Sequence, residues 1–314
     1  MTASDLQKKN PARQVIGFLT LPDDIPTPSL PILGDVDDLE KILRAHVVVE
    51  VFIAGIALRS QSEAQAMQKA IKMCERFGVP FALPEQFFRF DRASPVNRIK
   101  SGDGYIHYLN VDTKPLQWAI KRWFDMTASA TALWILSPLF LAVALLIKLT
   151  SRGPILFLQE RVGLHGKTFY LFKFRSMVAA AETLKESLLT QNEQQGPVFK
   201  IKNDPRVTTI GRFIRRYSID ELPQLVNVLR GEMSVVGPRP PVPSEVVRYE
   251  SWQRRRLSVR PGLTCIWQVS GRNEISFDEW MYLDMCYVDN WNLLTDFDLI
   301  LKTFPVILSG RGAS

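Results

Sequence analysis

Met126–Ile147 reads MTASATALWILSPLFLAVALLI, 22 residues without one charged side chain. As a single helix this stretch is long enough to cross about 30 Å of hydrocarbon. On length alone a straight span and a wholly buried core helix are both open. Two features favour a third arrangement. Lys121 and Arg122 precede the stretch and Lys148 and Arg152 follow it, and a bias of Lys and Arg toward cytoplasmic flanks places both ends on one side. Ser137-Pro138 sits at the midpoint, where proline removes one helical N–H and crowds the carbonyl four residues back. A helix that enters, bends at Ser137-Pro138 and returns to the same face satisfies both observations. Prolines also occur in ordinary spanning helices, so the span stays open at this point.

The rest of the chain is globular in composition. It has 314 residues, 46% hydrophobic and 23% charged, with a net charge of +7. That apolar fraction supports packed cores and excludes intrinsic disorder. The three cysteines, Cys74, Cys265 and Cys286, form no C-x-x-C pair, and the three histidines are scattered. A disulfide scaffold and a cysteine-based zinc site are therefore excluded, and any metal is expected on oxygen ligands.

Upstream of the apolar stretch, residues 1–13 are polar and predict a flexible tail without a secretory h-region. Residues 14–92 alternate apolar runs with helical patterns. Gln14–Leu21, Val47–Ala54 and Val79–Leu83 predict strands, Asp37–Ala45 a short helix, and Gln61–Phe77 a helix ended by Gly78. This predicts an α/β domain with a small parallel sheet, Rossmann-like and incomplete, and since no G-x-G-x-x-G follows its first strand a dinucleotide site has weak support. Residues 86–115 have no clear period and suit a loop or linker with room for one hairpin, and a linker over 93–117 leads into the membrane helix over 118–150.

Charge separates the two parts. Residues 1–115 carry 14 basic and 14 acidic side chains, whereas residues 116–314 carry 25 and 18. A surplus confined to one part points to a phosphate-bearing partner: nucleic acid, an anionic membrane or a phosphorylated substrate. Within 151–314, PILFLQERVGLHGKTFYLFKFRSM predicts a hairpin turning at Val162–Gly166, with Lys173 and Arg175 two apart and so on one strand face. They are candidates for gripping a phosphate, or a solvated strand edge. The densest constellation is GRFIRRYSIDELPQLVNVLRGEMSVVG, Gly211–Gly237. Ser218 and Glu221 make a capping-box pattern that predicts a helix running through Leu229. Asp220 and Glu221 are then either acids complementing a helix N-terminus, or a pair in which one carboxylate attacks phosphorus and both hold Mg²⁺ while arginines offset phosphate charge. Arg212, Arg215 and Arg216 stand just before them, and Arg239 follows between prolines. From Lys200 to Arg260 there are 13 basic and 6 acidic residues. No nucleic-acid-binding motif accompanies them. Trp267, Trp280, Tyr282, Tyr287 and Trp291 suit a nucleoside pocket, the headgroup level or a core, and Phe297–Leu308 suits an interfacial helix.

These motifs taken in order, KRWFD with the Ser137-Pro138 break, GPILFLQERVG, FKFRSM, IGRFIRRYSIDELPQLVNVLRGEMSVVGPRP and RPGLTCIWQVSGRN, resemble the bacterial sugar transferases called polyprenyl-phosphate hexose-1-phosphate transferases, or monotopic phosphoglycosyl transferases. The resemblance runs from about Lys121 to Ser314 and implies an α+β monotopic catalytic domain over 151–314 carrying a re-entrant helix. Residues 14–92 look like the α/β, CoA-binding-like domain of the longer members. The resemblance implies Asp220 as nucleophile toward the β-phosphorus of a UDP-sugar, leaving a covalent sugar-phosphoryl-aspartate, with Glu221 assisting through Mg²⁺ or through proton removal from the acceptor, and Asp220 and Glu221 as the metal ligands. It implies Arg215 and Arg239, and more weakly Lys173 and Arg175, as phosphate ligands. It further implies undecaprenyl phosphate as acceptor, UMP as leaving group, and an inner-membrane location with both termini and the active site on the cytoplasmic face. Nucleic acid is not an expected partner, and a homodimer is one option for the first domain. Thr264-Cys265 departs from the Thr-Gly of many members, and Cys265 is expected to be a packing residue. The rival reading is a non-catalytic, membrane-anchored docking protein that binds anionic lipid or nucleic acid through its arginines.

Overall fold

The computed structural model describes residues 14–21, 31–53, 61–84, 105–108, 114–185, 187–188, 201, 204–270 and 275–309. The expected tail, most of the expected linker and the end of the RPGLTCIWQVSGRN motif lie outside them. The chain divides into two units, Met1–Asp112 and Thr113–Ser314.

In the first unit, β1 (Phe18–Thr20) pairs in parallel with β2 (Ile32–Asp35). A 3-10 turn then leads into α1 (Leu39–Ala45). A second sheet holds β3 (Val51–Phe52), β4 (Phe81–Pro84) and β5 (Tyr105–Tyr108), with β3 parallel and β5 antiparallel to β4. The sheet is therefore mixed, and β1 does not join it, where the sequence predicted one small parallel layer. Helix α2 (Gln61–Phe77) has the predicted bounds. Met67, Ala70, Cys74 and Phe77 recur at helical spacing on its buried face and meet Leu39 and Leu43 of α1 and Phe81 of β4. Gly78 ends the helix at φ +66°, a left-handed C-terminal position that glycine adopts without a Cβ clash.

The second unit opens with two helices, α3 (Pro115–Ile135) and α4 (Ser137–Thr150), bent by 60° at Leu136. The local chemistry explains the break. Pro138 has no N–H for the Trp134 carbonyl, and the Ser137 hydroxyl donates to that carbonyl instead, at 2.8 Å. Among the described residues no single helix is long and apolar enough to cross a membrane; the bent pair passes that test only together. Both arms dock on the same unit. From α3, Arg122 donates to the Val228 and Leu229 carbonyls, Asp125 accepts from the Val235 N–H, and Lys121 pairs with Asp296. From α4, Val143 and Ile147 pack on Phe174 and Ile214. The basic flank before the apolar stretch is thus not a free, headgroup-facing charge. Lys121 is 5% exposed, and Arg122 caps the carbonyl end of another helix.

The hairpin forms as predicted from β6 (Leu156–Val162) and β7 (Thr168–Phe174), in register from Leu156 opposite Phe174 to Val162 opposite Thr168. Its second edge is closed by one side chain. Asn227 of α7 (Leu225–Arg230) donates to the Tyr170 carbonyl at 2.7 Å and accepts from the Phe172 N–H at 3.1 Å. Beyond it, β8 (Ser234–Val236) and β9 (Gly262–Thr264) run parallel. Their backbones cross so closely that a methyl on Gly262 would overlap the Gly237 nitrogen, which reserves the position for glycine. Between the hairpin and α7 lie α5 (Ala181–Lys185) and α6 (Thr209–Arg216). The remaining helices are α8 (Pro243–Val247), α9 (Ile266–Ser270), α10 (Phe277–Asn290) and α11 (Leu293–Ser309). Trp280, Tyr287 and Trp291 are core residues, while Tyr282 is exposed.

Asn227→Leu keeps the volume but leaves the Phe172 N–H and the Tyr170 carbonyl of β7, both part-buried, without their partner. It should lower unfolding stability by about 2–4 kcal/mol, read by denaturant titration against the wild-type chain.

Candidate active site

Helix α6 ends at Arg216, and the chain turns through Ser218 at φ +54° into a 3-10 helix, Ile219–Gln224. The predicted capping box does not form. An N-cap serine needs extended backbone to turn its hydroxyl onto the next turn, and left-handed Ser218 makes no such bond. A strained, non-glycine residue is instead held two positions before Asp220. The helix predicted to start here begins at Leu225, with Pro223 inside the 3-10 segment.

Asp220 is 7% exposed. Burial, and then the charge of Glu221 beside it, push its carboxyl up to about 6, against the opposing pull of Lys173 and Arg215. Glu221 accepts from the Lys173 ammonium at 2.7 Å, with both side chains partly open to solvent. The structure thus brings together Asp220, Glu221, Lys173 and Arg215. Arg175 serves a different place. It is 6% exposed and donates to the Ser151 carbonyl and hydroxyl where α4 ends, fitted against Gly153, at φ +122°.

Arg161, absent from the residues picked out by sequence, connects this cluster to Arg239. Its guanidinium lies within electrostatic reach of Glu221 and Arg239, and burial followed by the Arg239 charge lowers it to about 10. It donates to the Pro240 carbonyl at 2.8 Å. Arg239 is half-buried between buried prolines. Most other arginines of the basic stretch are structural: Arg206 binds Asp204 and the Ala181 carbonyl, Arg254 the Val246 carbonyl, Arg255 Asp289, Arg256 Asp284 and Arg260 the Gly231 carbonyl. The +7 of that stretch is therefore only in part a property of the site. Cys265 is buried, and burial holds its thiol well above the ordinary range, which makes it an inert packing residue.

Among the described residues no three His, Cys, Asp or Glu side chains gather as a metal cluster. Two adjacent carboxylates do fit a hard divalent cation such as Mg²⁺, which binds through one or two carboxylates and fills its shell with water and phosphate oxygens.

The family model described as bacterial sugar transferase matches residues 116–310. The chain is 42% identical over 251 residues to the galactosyl transferase CpsE of Streptococcus agalactiae, covering 79% of this chain and 55% of that one. It is 41% identical to the exopolysaccharide production protein ExoY of Rhizobium meliloti, covering 64% of this chain and 90% of that one. It is 46% identical to the undecaprenyl-phosphate galactose phosphotransferase of Salmonella typhimurium, covering 62% of this chain and 41% of that one. The chain thus spans about half the length of some of these relatives and nearly all of others. With its matched segment holding the hairpin, the Asp220–Glu221 turn and the Arg239 loop, the chain belongs to the bacterial sugar transferase family.

Proposed function

We propose that this chain transfers a hexose-1-phosphate from a UDP-sugar to undecaprenyl phosphate. The observation that carries the reading is a buried Asp220 beside Glu221 with Lys173 and Arg215 around it. A carboxylate withdrawn from water is a stronger nucleophile than a hydrated one, and the cations offset the charge of the phosphate it approaches. Asp220 attacks the β-phosphorus, an O–P bond forms, and the bond to the UMP oxygen breaks. The lipid phosphate then attacks the phosphosugar-aspartate, regenerating the carboxylate and giving a lipid diphosphate sugar. Glu221, held by Lys173, orients the second attack and receives its proton. Arg215 and Arg239 hold phosphate oxygens, with Lys173 contributing to the same field. Mg²⁺, if bound at Asp220 and Glu221, supplies charge neutralisation of the diphosphate. Relatives named as undecaprenyl-phosphate galactose or glucose phosphotransferases support the acceptor and sugar class.

A re-entrant placement of α3 and α4 accompanies this reading. Both arms dock on one unit, and Leu141, Leu145 and Leu149 leave an apolar stripe on α4 exposed. Leu294, Phe297, Leu301 and Phe304 form an exposed stripe on α11, as an interfacial helix would. The acceptor phosphate then meets the site at headgroup depth, on the cytoplasmic side of the inner membrane. The first unit is a Rossmann-like accessory domain in this reading.

Incubation with UDP-hexoses, undecaprenyl phosphate and Mg²⁺ should release UMP, and Asp220→Asn should reduce turnover by about 10³-fold or more; normal turnover by this variant sinks the mechanism. The same substitution should raise the melting temperature at pH 7.5. Asp220 has a raised pKa, so above about 6 the fold holds a charge that the unfolded chain hydrates better, and the destabilisation fades as pH falls through 6. A thermal scan at pH 7.5 and pH 5 reads the difference. Cysteines introduced at Asp5 and Gly310 should both be labelled from the cytoplasmic side of sealed vesicles, whereas labelling from opposite faces defeats the re-entrant placement.

A further inference from the structure

The loop Pro238-Arg239-Pro240-Pro241 has three prolines, which carry no N–H. Its carbonyls are consequently the main handles by which the fold can hold it. Each is taken. Pro238 accepts from the Gly262 N–H at 2.9 Å and Pro241 from the Val162 N–H at 2.9 Å. The two carbonyls between them accept from guanidinium groups, Arg239 from Arg256 at 2.8 Å and Pro240 from Arg161 at 2.8 Å. The Arg239 N–H, the one backbone donor in the loop, has no acceptor among the described residues.

Both guanidiniums are themselves fixed. Arg256 is 2% exposed, pairs with Asp284 at 2.6 Å and donates to the Tyr249 hydroxyl at 2.8 Å. Arg161 is fixed by two bonds to the Gln159 side chain. The guanidinium carbons of Arg239 and Arg256 stand 5.3 and 5.4 Å from the centre of the same Trp280 ring. A buried ion pair is poor as a stability device, since apolar residues of the same volume often do as well. What it supplies is direction: a planar fork satisfies several acceptors at once, which an ammonium cannot do in the same geometry.

We infer that Arg161 and Arg256 are positioning residues that grip the successive carbonyls of Arg239 and Pro240 and aim the Arg239 guanidinium and N–H at the donor's diphosphate. The inference rests on the proposed function, in which Arg239 holds phosphate. Preorganising Arg239 removes ordering that binding would otherwise require.

A double-mutant cycle with UDP as probe tests it by titration calorimetry in Mg²⁺ buffer, on the full chain in detergent, with melting curves confirming fold. Arg256→Lys should weaken UDP binding about tenfold in the wild-type background and less than about twofold in the Arg239→Ala background, because it acts through Arg239. Equal losses in both backgrounds would overturn the inference while leaving the proposed function standing. If Arg256→Lys does not fold, Arg161→Lys enters the same cycle with the same criterion. Failure of both to fold would assign the two arginines to stability alone and overturn it. Absence of UDP binding by the wild-type chain would defeat the proposed function and the inference with it.

Discussion

Lys121 and Asp296 meet at 2.5 Å with both side chains almost wholly removed from water. Two buried charges tolerate such a place only if their remaining hydrogen-bonding positions are filled. Lys121 also donates to the Val236 carbonyl, and Asp296 also accepts from the Tyr287 hydroxyl and the Trp291 indole N–H, while Trp118 stacks on Trp291 at 3.7 Å. One interaction therefore ties the base of α3 to β8, α10 and α11. Arg122 and Asp125, one and four residues on, extend the attachment to the end of α7 and the start of β8. The orientation of the bent helix pair, the position of the strand that leads into the Arg239 loop and the seating of α11 all follow from satisfying this pair. Removing either partner leaves an unpaired buried charge, a loss of about 3–5 kcal/mol.

The site hangs from that frame by short, rigid connections. β8 runs directly into Gly237 and the proline loop, and β7 carries Lys173 toward the 3-10 turn that presents Asp220 and Glu221. Each side chain of the candidate site leaves an element that is anchored on both sides: β7 by its partner strand and by Asn227, the 3-10 turn by strained Ser218 and α7, the loop by two guanidiniums. Placing a carboxylate in a site this closed raises its protonation range, and the surrounding cations keep it usable near neutral pH.

How much of this was legible in the sequence depends on the range of the interaction. Local signals read well. Gly78 ended α2 where predicted, the Val162–Gly166 turn made the hairpin, and Ser137-Pro138 marked the bend. Asp220, Glu221, Lys173 and Arg215 came together as their motifs suggested. The failures are also physical. Ser218 satisfies the capping pattern, but its left-handed backbone turns the hydroxyl away from that role. Charge counting cannot distinguish a hydrated arginine from a buried one, so the basic surplus from Lys200 to Arg260 reads as one phosphate-directed property although Arg254, Arg256 and Arg260 bond carbonyls and a carboxylate of the fold. Lys121 and Arg122 read as membrane flanks for the same reason. Arg161 was missed because its partner carbonyl lies 79 residues away, and β5 was legible only as an unplaced hairpin option because its strand depends on pairing with β4 rather than on its own pattern.

The separation of 175 residues between Lys121 and Asp296 also bears on synthesis. At the usual pace of translation Asp296 emerges roughly 10 to 35 seconds after Lys121. Throughout that interval the apolar helices exist without the scaffold that later holds both arms, and one straight helix is the competing conformation. The bend must then be written into the helix itself. Pro138, with the Ser137 hydroxyl already occupying the Trp134 carbonyl, supplies it from residues made within moments of one another, so the bend of the helix pair is set by a local dipeptide before the tertiary contacts that hold both arms can exist.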